Sequence, residues 1–414
     1  MTGQQLKNSI LQMAVQGKLV PQDPDDEPAS VLLERIRKEK ERLVREKKIK
    51  PEKNPSVIFR GADNLPYEKR GKEVRCIADE IPFEIPDSWE WARLSDVCLY
   101  IQRGKSPKYS LVKKYPVIAQ KCNQWTGFSI EKAQFIEPES LSGYAEERLL
   151  QDHDLLWNST GLGTLGRMAI YKADLNPYGI AVADSHVTVI RPFKDYVLAA
   201  YLYAYFASPT VQSVIEDLAE GSTKQKELAQ ETVRNYLIPL PPIQEQHRIV
   251  SKIEDLLPYV SEYNRKETTL AELNNSLPAI LKKSILQEAI QGRLVAQDPN
   301  DEPASVLLER IRKEKARLVK EGKLKPDKHE SIIFRRDNSH YEKRDGKETC
   351  IDDEIPFEIP SSWAWTRASS LGTMVRGRGI MRNETTNEGQ PCIRYGEIYT
   401  SYNETFKTTK SFIT

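Results

Sequence analysis

The sequence predicts an α+β protein, a mixed α/β domain set among long helices arranged as an antiparallel spacer and hairpin. The first sign is an internal duplication. Residues 26–40 read DEPASVLLERIRKEK and residues 301–315 repeat all fifteen, an offset of 301 − 26 = 275. The second is apolar spacing of three and four residues before position 50 and after position 242. The third is a shift in composition between them, where β-branched and aromatic runs alternate with Gly-rich turns. The chain has 414 residues, room for two or three cores. Lys plus Arg number 61 against 60 for Asp plus Glu, a net charge of +1. That balance excludes a general polyanion binder and leaves room only for local basic surface.

The duplication reaches well beyond its identical core. LKNSILQMAVQGKLVPQDP from Leu6 matches LKKSILQEAIQGRLVAQDP from Leu281. CIADEIPFEIPDSWEWAR from Cys76 matches CIDDEIPFEIPSSWAWTR from Cys350 after a one-residue slip. After Trp91 and Trp365 the identity collapses, although Arg103-Gly104-Lys105 still aligns with Arg376-Gly377-Arg378. The period is far longer than the roughly 20–50 residues of a solenoid unit. It describes two large modules with like scaffolds and unlike variable parts, and therefore two related but different ligands. The second copy stops at Thr414, about half way through its period, so the chain reads as a C-terminally truncated or incomplete version.

In chain order, residues 1–50 predict a helical hairpin. Leu6, Ile10, Met13, Ala14 and Val15 line a helix over 5–20, with Gly17 as its stop. Pro28 opens a second helix striped by Leu32, Ile36, Leu43 and Val44. Ten basic residues and four glutamates share positions 35–53, which suits a solvated face of i,i+4 ion pairs better than a phosphate site. Residues 51–91 are poorly periodic and read as a linker or arm. Residues 92–241 form the first mixed α/β domain, with one helical stretch, YVLAAYLYAYFASPTVQSVIEDL. Residues 242–296 predict a spacer helix of at most ~80 Å at 1.5 Å per residue. Pro258 and Pro278 are expected to kink or break it. Residues 297–325 repeat the second helix, 326–365 the arm, and 366–414 begin a second variable domain.

No catalytic constellation stands out. Gly161, Gly163 and Gly166 fit G-x-G-x-x-G, but RMAIYKAD follows as a second strand where a dinucleotide site needs a helix. Asn176-Pro177-Tyr178 resembles the N-P-P-Y of adenine methyltransferases with one proline missing, and reads as a turn. His186 lies in an apolar run and is expected to pack inside. The five cysteines show no C-x-x-C pair, which suits a reducing cytoplasm, and no apolar run approaches a membrane span.

Four polar, basic clusters suit contact with nucleic acid. They are Arg103, Lys105, Ser106, Lys108 and Tyr109; Lys121, Asn123, Gln124 and Trp125; Asn158, Ser159, Thr160 and Arg167; and Ser222, Thr223, Lys224 and Gln225. Cationic, hydroxyl and amide groups bond phosphates, and Arg, Lys, Asn and Gln also read base edges. Arg376 and Arg378 repeat the first cluster in the second copy.

Together these segments resemble the specificity subunits of type I restriction-modification enzymes. The likeness lies in IPLPPIQEQHRIVSKIEDLLP from Ile238, RGKSPKY, DLLWNSTGLGTLGR, EGSTKQKEL, and, in the second copy, VRGRGI and PCIRYGEIYT. The resemblance implies two target-recognition domains, each reading half of a split site in double-stranded DNA. Helices hold them apart and bind two methyltransferase subunits, and restriction/translocase subunits complete the complex. Chemistry then belongs to the partners, with S-adenosylmethionine, ATP and Mg on them and no cofactor on this chain. The alternative is a non-enzymatic helical scaffold whose α/β domain binds a protein.

Overall fold

Thr2 caps the first helix, Gly3–Val15. Its hydroxyl accepts from the Gln5 N–H at 3.2 Å, and the Gln5 side chain accepts from the Thr2 N–H at 2.8 Å. Two of the amides that a helix start leaves open are thereby satisfied. The helix ends short of position 20 because Gly17 turns into the left-handed region at φ +68°. A Cβ there would stand 2.4 Å from the Pro86 Cγ, so the turn and the close approach both require glycine. The computed structural model describes every residue except 53, 162, 222–225, 328 and 403–404. It divides into two units, Met1–Leu273 and Asn274–Thr414.

In the first unit the helical hairpin does not stand alone. Leu11 and Val15 of the first helix, and Leu32 and Ile36 of the second, Ala29–Arg45, share one core with Trp89, Trp157, Phe206 and Ile249. Each such side chain contributes about 1.5–3 kcal/mol on burial. The outer face of the second helix carries the expected ion pairs, with Arg42 between Glu39 and Glu46.

The segment expected as a linker is instead a three-stranded antiparallel sheet, Ser56–Arg60, Pro66–Arg70 and Glu73–Cys76. Its alternation escapes a hydropathy reading because the buried group at its centre is a charge. Glu68, 1% exposed, accepts from Arg93 at 2.9 and 2.8 Å, Arg70 at 2.8 Å, Arg75 at 2.7 Å and Ser56 at 2.7 Å. Burial works to raise the Glu68 pKa. Those hydrogen bonds outweigh it and hold the carboxyl well below the usual range.

Residues 92–241 carry two four-stranded sheets. One is antiparallel, in the order Met168–Ile170, Leu155–Asn158, Val187–Pro192, Cys98–Arg103. The other runs Val182–Ala183, Pro116–Ile118, Gln134–Ile136, Tyr109–Ser110, with its first pair parallel. Glu90–Arg93 pairs with Leu237–Leu240, so the domain is entered and left side by side. Its helix is shorter than expected, Ala199–Phe206, followed by a single turn, Pro209–Gln212. Pro209 forces Ser208 into an extended conformation (φ −72°, ψ 156°), which breaks the stretch.

The helix Ile243–Ile290 includes both Pro258 and Pro278, so neither proline breaks it. Each proline removes its own N–H from the ladder, and the bonds on either side carry the helix past it. At its start Glu245, 1% exposed, accepts from the Trp89 indole at 2.8 Å and from Gln22 at 2.6 Å. Among the described residues, no helix is long and apolar enough to cross a membrane.

Asp96 gives the first unit a pH signature. Its carboxylate caps the Arg93 N–H at 3.2 Å, and burial pushes its pKa up from 3.8 to about 6. A folded pKa above the unfolded one disfavours the charged form in the fold. The Asp96 contribution to stability therefore falls as pH rises from about 4 to about 6. Asp96→Asn keeps an oxygen for the cap and should flatten that part of a Tm-against-pH curve. An unchanged slope would remove Asp96 as its source.

The second unit rebuilds the scaffold. Gly292 has φ +68° and would place a Cβ 2.4 Å from the Pro360 Cγ. The Ala304 N–H donates to the Ser362 carbonyl at 2.9 Å, as Ala29 does to Ser88 at 2.9 Å. A helix, Ala304–Lys320, is followed by a sheet of Ser331–Arg336, Ser339–Arg344 and Lys347–Cys350. Its central Glu342 accepts from Arg367 at 3.0 and 2.7 Å. Among the described residues, 366–414 hold short helices and the antiparallel pair Gln390–Cys392 with Ser411–Ile413.

Candidate nucleic-acid interface

Strand register gathers the predicted loops. Arg103 lies opposite Thr188, and Asn158 lies opposite Val187. The chain therefore leaves the Cys98–Arg103 and Leu155–Asn158 strands, and enters the Val187–Pro192 strand, at one end of the sheet. Three loops, 104–108, 159–167 and 184–186, emerge there together. Two more join them. The Gln120 side-chain amide donates to the Thr160 carbonyl at 2.5 Å and the Thr160 hydroxyl at 3.1 Å. From the fifth, the Leu228 N–H donates to the Ser159 carbonyl at 2.8 Å, and the Lys226 carbonyl accepts from the Gly161 N–H at 3.1 Å.

Gly104 seats the first loop on the third. Its N–H donates to the Val187 carbonyl at 2.9 Å, and a Cβ would stand 2.2 Å from the Ala183 carbonyl oxygen and 2.3 Å from that of Asp184. Backbone cannot yield there. Gly104→Ala should lift the 103–105 turn off the sheet end, at a cost of about 1–3 kcal/mol. Denaturant unfolding reads that cost. Wild-type stability would mean the loop is not anchored at this point.

The predicted residues fall into distinct settings. Lys105, Ser106, Lys108, Tyr109, Lys121 and Trp125 are exposed. Lys105 Nζ lies 5.2 Å over the Tyr144 ring, and the Tyr109 hydroxyl donates to Asp184 at 3.0 Å. Burial and the Asp184 charge raise the Tyr109 pKa. Arg103 is half-buried, donating to the Ser185 carbonyl at 3.0 Å and paired with Glu227. Arg167 donates to Gln124 at 2.8 Å and to the Gly163 carbonyl at 2.9 Å, which locks the second and third clusters together.

Asn123, Asn158 and Ser159 are corrected as contact candidates, because all three are fully buried. Asn123 donates to the Asn158 side chain at 2.9 Å, and Asn158 donates to the Gln120 carbonyl at 3.3 Å. They hold the loops in place. Ser222, Thr223, Lys224 and Gln225 lie outside the described residues. Arg376 and Arg378, in the second unit, are exposed in the irregular stretch 372–381. The glycine run joins two antiparallel strands, as its sequence implies, and Asn176 sits in a turn, with its carboxamide oxygen accepting from the Tyr178 N–H at 3.1 Å.

His186 reverses its expectation. It is exposed on the 184–186 turn, its Nδ1 2.9 Å from the Thr160 hydroxyl. The Asp184 carboxylate accepts from the His186 N–H at 2.9 Å, a side-chain turn that lifts the histidine out of the strand. The Asp-Ser pair before His186 is the sequence signal for it. Glu227 is the other group that a search for cations passes over.

Residues 86–273 match the type I restriction modification DNA specificity domain. Over 434 residues the chain is 32% identical to the type I restriction enzyme EcoAI specificity subunit of Escherichia coli, a match covering 95% of this chain and 66% of that one. Over 409 residues it is 32% identical to the EcoEI specificity subunit of Escherichia coli, covering 88% and 61%. A crystal structure of an HsdS subunit from Thermoanaerobacter tengcongensis is 22% identical with a TM-score of 0.34, covering 51% of this chain and 47% of that one. The chain thus spans 66% and 61% of the length of these two curated relatives. It belongs to the family of type I restriction-modification specificity subunits.

Proposed function

We propose that this chain is the sequence-specific DNA-binding subunit of a type I restriction-modification complex. Residues 92–241 read one half of a bipartite target. The supporting observation is the convergence of five loops at one sheet end, with exposed Lys105, Lys108, Lys121 and Trp125 around a fixed polar floor. Cations on the rim suit phosphates, and amide, hydroxyl and imidazole groups suit base edges. The duplicated scaffold supports docking of two like partners, which we assign as methyltransferase subunits, with restriction/translocase subunits joining them in the cytoplasm. S-adenosylmethionine, ATP and Mg are assigned to those partners, and the chain itself is non-catalytic. Single-molecule methylome sequencing of cells expressing the chain with its methyltransferase tests this. A split methylated-adenine motif is expected. A methylome unchanged by the chain would favour the protein-binding scaffold.

A further inference from the structure

We infer that His186 is a specificity-determining residue, held by Thr160 so that its Nε2–H donates to an acceptor on a base edge. The inference rests on the DNA-reading role proposed above and assigns one atom within it. The imidazole tautomer is part of the inference, and the hydrogen bonds around Thr160 are the ground for it. Gln120 meets the Thr160 carbonyl at 2.5 Å, and a carbonyl only accepts, so the group facing it is the NH2 end of the Gln120 amide. The same NH2 lies 3.1 Å from the Thr160 hydroxyl oxygen, which therefore accepts as well. The Thr160 hydroxyl still has its own proton to place. His186 Nδ1 lies 2.9 Å away, and we assign it as the acceptor of that proton. Nδ1 accepting puts the neutral ring's proton on Nε2.

The ring's backbone is fixed on both sides. The His186 N–H donates to Asp184 at 2.9 Å, and its carbonyl accepts from the Ser159 N–H at 3.0 Å. With that tautomer one exposed donor is left, on a side chain whose orientation is already set. The neighbouring groups are differently placed. Arg103 turns its Nε to the Ser185 carbonyl and one terminal nitrogen to Glu227, and Tyr109 donates to Asp184. A preorganised donor at a loop convergence matches a purine N7 or a guanine O6 in the major groove. Thr160 is a positioning residue, since it acts through the imidazole.

The test uses the assembled complex of this chain with its methyltransferase and duplexes carrying the motif found by methylome sequencing. His186→Ala should weaken binding of the cognate duplex about 5- to 150-fold, the equivalent of ~1–3 kcal/mol for a good base contact. The loss should be confined to discrimination at one base pair, with the salt dependence unchanged. Replacing the purine at that position by its 7-deaza or 6-thio analogue should weaken the wild type and leave His186→Ala unaffected. Thr160→Val should relax the same position and Thr160→Ser restore it, a rescue that a merely structural role would not show. Uniform weakening across all sequences, or discrimination kept in His186→Ala, overturns the inference. A wild-type complex that shows no sequence preference fails the functional reading itself, which is a separate result.

Discussion

Arg191→Met is expected to destabilise the first unit by about 3–5 kcal/mol, the cost of leaving a buried charge without its partner. Arg191 is 3% exposed, and its guanidinium forks the fully buried Asp154 carboxylate with two bonds of 2.7 Å. It also donates to the Leu149 carbonyl at 2.9 Å and lies 5.1 Å over the Tyr100 ring. Burial pushes the Asp154 pKa up, and Arg191 opposes that rise. With the arginine gone, the carboxylate keeps the Gln151 N–H, at 2.8 Å, as a hydrogen-bond donor and the Lys194 charge, but loses the guanidinium that forks it. Urea unfolding should show a lowered midpoint. Asp154→Asn added to Arg191→Met should recover part of the loss, because the charge is then removed with its partner. A single variant within about 1 kcal/mol of wild type, closer to the effect of a surface change, would contradict the assignment.

The second large effect concerns affinity. Lys105→Ala, Lys108→Ala and Lys121→Ala combined should make the slope of log K against log salt shallower by about 2.7, or ~0.9 for each phosphate no longer neutralised. Cognate and scrambled duplexes should weaken in equal proportion, because phosphate contacts position the protein without reading sequence. A salt titration of the assembled complex gives both numbers. An unchanged slope would place the phosphates elsewhere.

Much of the fold is legible in the residues, for identifiable reasons. The helices follow from apolar spacing, and the paired scaffold from identity at a fixed offset. The glycine run is readable as a turn because a strand follows it. The three-stranded arm sheet is not legible, since its order rests on the charge cluster around Glu68, which hydropathy records as solvent-exposed. Four basic clusters stand out by composition, but composition does not say which polar groups face inward. Asn123, Asn158 and Ser159 turn inward because their strand and loop are covered on both sides. His186 misleads for the converse reason. A two-residue turn takes it out of an apolar run that its neighbours continue.

The central claim is that residues 92–241 read one half of the target. It is tested most directly by titrating the assembled complex, at one fixed salt concentration, against the cognate duplex and a duplex altered only in that half-site. The predicted result is cognate binding at least ~10³-fold tighter than non-specific binding, with a mismatch in the half-site costing about 1–3 kcal/mol per base pair. Equal affinity for the two duplexes would contradict the claim.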